Sequence, residues 1–197
     1  MLKTVLATLV LLTTLTAHAA DIYKIDAKES SVNWKGSKKV GKVHTGNISV
    51  KEGQLELDKK NQITGGNVAI DMSTITNEDL KDSPEFQKKL VTHLSSEDFF
   101  GVTKFPTSTF KILSVTTKSK DEVLVKGELT IIGKTNQIEF PAKVTVEKGI
   151  VKGDAQVKVD RTKWGLKYGS GNFFKELTAD KIINDEFELN LKLVAKK

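Results

Sequence analysis

From Asp21 onward, apolar and polar residues alternate with a period of two, the pattern of strands that bury one face. Val32/Trp34 alternate with Asn33/Lys35, and Ile48/Val50 with Ser49/Lys51. Leu55/Leu57, Val68/Ile70/Met72 and Phe110/Ile112 continue the pattern. Two longer sets follow, Val123/Val125/Gly127/Leu129/Ile131 and Ile138/Phe140/Ala142/Val144/Val146. Val151/Gly153/Ala155/Val157/Val159 and Phe187/Leu189/Leu191/Leu193 complete it. Glu52-Gly53, Gly65-Gly66, Gly133-Lys134 and Lys148-Gly149 read as the turns between sets. About eight strands with tight connections predict an all-β, mostly antiparallel barrel or sandwich.

Two segments break the alternation. Ser83-Pro84 reads as an N-cap followed by proline at the first helical position. Phe86, Leu90 and Leu94 then recur every four residues, one apolar face on a helix of about three turns. The second segment runs from Arg161 to Asp180 and is too long and glycine-rich for a simple connection. It holds Trp164, Tyr168, Phe173 and Phe174, four of the chain's thirteen aromatics, and its aromatics need an apolar surface, such as a cavity mouth. No linker or repeat divides the chain, so a single domain is expected over residues 20–197.

The N-terminus is of another kind. Met1-Leu2-Lys3 precedes an uncharged apolar run and then Ala17-His18-Ala19, an A-x-A pattern. Residues 1–19 therefore read as a signal peptide cleaved between Ala19 and Ala20, so the mature protein is expected outside the cytoplasm, which in a Gram-negative source is the periplasm. Cleavage would remove His18 and leave His44 and His93.

Composition narrows the chemistry. The chain has 197 residues, no cysteine and a formal net charge of +6. Without cysteine there is no disulfide framework, thiol catalysis or Cys-ligated metal. The positive charge is spread among carboxylates, and Arg161 is the sole arginine, so nucleic acid is not an expected partner. Gly169-x-Gly171 lacks the third glycine and the strand–turn–helix setting of a phosphate cradle. No G-x-S-x-G motif occurs. His93 lies near Glu97 and Asp98, but without H-x-H or H-x-x-x-H spacing a metal site has little support. The chain thus reads as a protein without catalytic residues, cofactor or metal.

The aromatics carry more information. Phe99-Phe100 cannot both point inward along a regular strand, so they belong to an irregular connection, as do Phe173-Phe174. Two aromatic corners and an amphipathic helix exceed what a domain of this size needs to close itself, and an apolar ligand cavity would use the surplus.

Several blocks resemble one family. His93-Leu94-x-Ser96-x-Asp98-Phe99-Phe100 followed by Phe105-Pro106-x-x-x-Phe110 resembles the central signature of the YceI-like secreted lipid-binding proteins. Asp71-Met72-Ser73-Thr74-Ile75, Gly127-Glu128-Leu129-Thr130 with Gly133, Asp160-Arg161-x-x-Trp164-Gly165 and Tyr23-x-Ile25-Asp26 agree in order. The resemblance implies an extended lipocalin-like antiparallel β-barrel with the helix near one end. It also implies a polyisoprenoid ligand, such as an isoprenoid quinone or polyprenyl phosphate, or a fatty-acid-like one, held for carriage, storage or scavenging. Together with the alternation it points to Trp34, Phe86, Leu90, Phe99, Phe100, Phe110, Leu129, Ile131, Phe140, Trp164 and Phe173 as pocket residues. Lys104, Arg161 and Lys167 are candidates to meet an anionic headgroup, with a plain solvated surface as the alternative. Gly101 and the glycine-rich stretch 168–177 depart from the family pattern near the expected mouth. Transient membrane contact and a homodimer are further expectations for a barrel with an apolar mouth. The competing expectation is a filled barrel that serves as an interaction scaffold, with Phe99, Phe100 and Trp164 packed together.

Overall fold

The computed structural model describes residues 20–197; the expected signal peptide lies outside the described residues. Nine strands and one α-helix form: β1 (Asp21–Ile25), β2 (Ser31–Ser37), β3 (Val43–Leu57), β4 (Ile63–Asp71), α1 (Pro84–Ser95), β5 (Thr107–Thr117), β6 (Glu122–Ile131), β7 (Lys134–Glu147), β8 (Ile150–Asp160) and β9 (Glu186–Lys196). Every pairing is antiparallel, in the order β1-β3-β2-β9-β8-β7-β6-β5-β4. Additional pairing of β3 with β4, running from Ser49↔Asp71 to Leu57↔Ile63, closes the sheet on itself. The fold is a closed, all-β, lipocalin-like barrel rather than a sandwich.

The barrel has eight strand positions because β1 and β2 share one. β2 lies against the first half of β3 (Val32↔Ile48) and against β9 (Val32↔Leu191). β1 continues the same position between the far half of β3 (Tyr23↔Leu55) and the end of β9 (Ile25↔Ala195). The break falls at residues 26–30. There Asp26 Oδ1 accepts from the Lys28 and Glu29 amides at 3.0 and 3.1 Å, and the Ser30 hydroxyl accepts from the Val194 amide at 3.0 Å. Side chains on the chain thus replace the ladder bonds lost at the interruption.

Two of the expected turns are not turns. Glu52-Gly53 lies inside β3 at a bulge, where the register slips between Val50 and Glu52. A side chain at Gly53 would run into the Asn67 carbonyl of β4, so this glycine serves close strand approach. Gly65-Gly66 likewise lies inside β4. The true β3–β4 turn is residues 58–62, where Asp58 Oδ1 accepts from the Lys60 and Gln62 amides. The other two hairpins are two-residue loops with positive φ at both positions: Lys148-Gly149 as expected, and Ile132-Gly133, one residue earlier than the expected Gly133-Lys134, since Lys134 already belongs to β7.

Inward-facing residues form two packed clusters. One, at the end of the barrel where β1 lies, includes Tyr23, Ile25, Leu55, Leu57, Val151 and Ala195. The other joins Val125, Phe140, Val157, Val159 and Trp164 on the β6–β8 wall. The opposite end is where β2, β4, β6 and β8 finish, and it is covered by α1 and by residues 161–185.

Candidate functional site

Beneath that cover lies a predominantly apolar cavity of about 740 Å³. The strands supply its walls: Val32 and Trp34 from β2, Ile48 from β3, Ile70 from β4, Leu129 and Ile131 from β6, Phe187 and Leu189 from β9. All lie near the same end of the barrel, so the period-two pattern that buries each strand face also makes the wall apolar.

The roof has three parts. The first is the crossover after β4, which brings Met72 and Ile75 over the rim. It lies beside β3 through the Thr76 amide to the Asn47 carbonyl (2.9 Å) and the Glu78 amide to the Thr45 carbonyl (2.8 Å). Trp34 faces Gly46 across β2 and β3 and donates its indole N–H to the Thr76 carbonyl at 3.0 Å. A Cβ on Gly46 would overlap both that carbonyl and the indole, so a glycine is required for the crossover to press against the wall.

The crossover also holds buried Asn77, which donates to the Thr45 carbonyl (3.0 Å) and to Asp79 Oδ1 (2.6 Å). Asp79 accepts in turn from the Thr45 amide at 2.8 Å and contacts His44 Nδ1 at 2.7 Å. Burial pushes the Asp79 carboxyl up, but the Thr45 amide, His44 and Asn77 together outweigh it and hold it below the ordinary aspartate value. A depressed folded value means that this group adds stability above the unfolded value and loses it as pH falls through the folded one. Asp79→Asn is therefore expected to narrow the gap between urea midpoints measured at neutral and at acidic pH. An unchanged gap would show that Asp79 does not couple folding to protons.

The second part of the roof is α1 with the turn behind it. Pro84 opens the helix, and Leu90, His93 and Leu94 face the cavity. After Ser95 the chain folds back through bonds from the Phe100 amide to Leu94 and from the Gly101 amide to Ser96, with Gly101 at φ +50°. This irregular turn lets the adjacent Phe99 and Phe100 both line the cavity. His93 forms edge-on ring contacts with Phe99 (5.0 Å) and Tyr168 (4.7 Å), and its Nε2 lies 3.1 Å from Asp98 Oδ2.

The third part, residues 161–185, carries Leu166, Tyr168, Phe174, Leu177 and Ile183 to the cavity. Its anchor is Arg161, which is 4% exposed. The guanidinium donates to the carbonyls of Leu166 (2.6 Å), Asn184 (3.0 Å) and Ile183 (3.1 Å), with Asp185 Oδ1 at 3.6 Å. Burial pushes the Arg161 pKa down, while the charges of Asp185 and Asp160 oppose the shift. One side chain thereby ties both ends of the lid to the barrel.

Of the expected pocket residues, Trp34, Leu90, Phe99, Phe100, Leu129 and Ile131 line the cavity. Phe110, Phe140 and Trp164 do not. Phe110 and Phe140 pack ring to ring at 5.5 Å, and Phe110 lies over Gly127. Trp164 is 1% exposed, one layer behind the wall, where its indole donates to the Leu129 carbonyl at 2.9 Å. Phe86 and Phe173 are 64% and 47% exposed, because α1 meets the barrel through its later turns and the lid turns Phe174 inward instead. The cationic candidates also separate. Arg161 reaches the cavity wall with its donors engaged, while Lys104 lies over Phe105 and Lys167 over Phe173. Lys38 and Lys181, not singled out in the sequence, line the mouth, with Glu186 as the acidic side chain in the wall. Because Phe99 and Phe100 border a cavity, the barrel is not filled at this end.

Comparison with known proteins agrees with this architecture. A YceI-like domain matches residues 23–195. UPF0312 proteins of Vibrio cholerae are 31% identical over 129 residues, a match spanning 64% of this chain and 64% of the relative's length. Burkholderia cenocepacia BcnA shares the fold with a TM-score of 0.68 at 22% identity, over 87% of this chain and 99% of that one. A polyisoprenoid binding domain from Saccharophagus degradans aligns with a TM-score of 0.65 at 15% identity, over 91% and 99% of the two chains. The Campylobacter jejuni YCEI protein gives 0.58 at 19% identity, over 82% and 84%. Since the domain match runs from β1 to the end of β9 and takes in barrel, helix and lid alike, the chain belongs to the YceI-like domain family.

Proposed function

We propose that the protein binds a long apolar or amphiphilic molecule, a polyisoprenoid or an acyl chain, for carriage, storage or scavenging. The lidded apolar cavity is the observation that carries this reading. Each methylene of a tail moved from water into such a space gains about 0.8 kcal/mol, so a chain of isoprene units needs no covalent step to be held. The tail lies among Val32, Ile48, Leu129 and Leu189, and the polar end faces the mouth, where Lys38 and Lys181 favour an anionic headgroup over a neutral one. The polyisoprenoid-binding description of the Saccharophagus degradans domain supports the same ligand class. The role is binding rather than catalysis, and the A-x-A pattern at residues 17–19 supports a periplasmic setting.

Native mass spectrometry of the protein purified from its own host, with lipid extraction of the same sample, tests this. The expected result is a discrete added mass that extracts as an isoprenoid or acyl chain. Protein free of lipid, and unchanged after incubation with quinones and polyprenyl phosphates, would defeat the reading and favour a scaffold role.

A further inference from the structure

The exposed apolar side chains are unevenly placed. Among the described residues, Ile22, Val40, Val43, Phe86, Leu113, Tyr168, Phe173 and Phe174 are large, apolar and exposed. Ile22 and Leu113 stand apart on β1 and β5, and scattered single residues of this kind need no explanation. The other six all lie at the cavity end, from three segments distant in sequence: the β2–β3 hairpin, α1 and the lid.

Two of these six line the cavity, and the others sit on the three segments that border it. Tyr168 and Phe174 both line it and reach solvent. Phe86 precedes Leu90 by four residues on the helical stripe that enters the cavity, so it extends that stripe outward. Hairpin and lid form one surface, joined by the Lys39 amide to the Ile182 carbonyl (2.9 Å) and Lys38 Nζ to the Asp180 carbonyl (2.8 Å).

Charge selects the partner. The hairpin tip, residues 38–43, places Lys38, Lys39 and Lys42 around Val40 and contains no carboxylate. On the lid, Lys167 Nζ lies 4.4 Å from the Phe173 ring centroid. Lysines beside exposed aromatic and aliphatic side chains suit a surface that is negative outside and apolar just beneath. A two-fold contact centred on the hairpin would bring two such lysine tips together, which disfavours a second copy there.

We infer that the cavity end is a membrane-docking surface: Val40, Phe86 and Phe173 enter the interface of a bilayer containing anionic phospholipid, and Lys39 and Lys42 of the hairpin meet its phosphates. The cavity then opens against the bilayer, and a lipid tail passes between the two without crossing water. The passage of cargo rests on the proposed lipid-binding function; the docking itself does not.

Vesicle co-sedimentation tests the inference, with phosphatidylethanolamine–phosphatidylglycerol vesicles compared against phosphatidylcholine alone. The protein is expected to sediment with the first, to release as salt rises, and to bind the second weakly. The triple variant Val40→Ser, Phe86→Ser, Phe173→Ser is expected to lose at least about tenfold in vesicle affinity. The control Ile22→Ser, Leu113→Ser is expected to match the parent. A fluorescent fatty acid titrated without vesicles reads the cavity separately, and the rim variant should bind it as the parent does. Vesicle binding without fatty-acid binding would leave docking intact and count against the cargo reading. Absence of vesicle binding, equal loss in the control, or a dimer abolished by the rim variant without vesicle binding would each overturn docking.

Discussion

Arg161→Leu is expected to destabilise the protein by about 3–5 kcal/mol and to free the lid, the cost typical of breaking a buried, hydrogen-bonded charge. The guanidinium satisfies the carbonyls of Leu166, Asn184 and Ile183, which come from opposite ends of the lid. Leucine fills part of the space but leaves those acceptors buried and unpaired. Asp185 Oδ1, buried and without a hydrogen-bond partner of its own, would also lose its neighbouring charge. Lysine should rescue little, because one ammonium cannot donate in three fixed directions as the planar fork does. Urea denaturation gives the stability, and limited proteolysis should show faster cleavage within residues 165–185. A loss below about 1 kcal/mol, with cleavage unchanged, would show that Arg161 does not anchor the lid.

Leu189→Trp should have the converse profile, with a modest effect on folding and a large one on binding. Leu189 lies opposite Trp34 on β2 and Val157 on β8, and its side chain borders the cavity. Leu189 borders the cavity on one side and packs against both core clusters on the other, so an indole there takes space from a ligand at an overpacking cost of about 1–3 kcal/mol. Excluding roughly three methylenes of tail removes about 2.4 kcal/mol, close to sixtyfold in affinity. A fluorescent fatty acid titrated into both proteins at matched stability gives the comparison. Parent-like affinity would mean that the tail does not lie against β9.

Alternation made the antiparallel all-β architecture legible, because it states which face of a strand is buried and short hairpins state the order of most neighbours. It left barrel and sandwich open; the barrel was implied by the family resemblance, and the β3–β4 pairing closes it. Depth along the barrel was not legible. Leu189 and Val157 are register partners on the inner face and pack in the same cluster, yet only Leu189 also borders the cavity. Only the three-dimensional stagger of the strands separates them. Alternation and the family pattern mark Phe110, Phe140 and Trp164 as inward-facing, but an inward-facing aromatic serves equally well as filling; here Gly127 makes room for the Phe110 ring. At Glu52-Gly53 the turn chemistry was misleading, since a glycine needed for close strand approach has the same signature as one needed for a bend. Lys38 and Lys181 were hidden by abundance in a chain where lysine is common. Phe99-Phe100 was informative because two neighbours of one kind cannot share a strand face, and the turn behind α1 is the consequence.

The position shared by β1 and β2 also bears on how the molecule is made. β9 is the neighbour of β1, β2 and β8 at once, so its eleven residues, Glu186–Lys196, form the seam of the barrel. Until that stretch has left the ribosome, β2 and β8 present unpaired edges, and residues more than 150 positions apart have yet to meet, as in Val32 with Leu191. Closure must therefore wait until β9 has been made, and such long-range pairing is slow to form. Strand edges that await this partner are adhesive, so the safety of the chain until the seam forms depends on what shields β2 and β8.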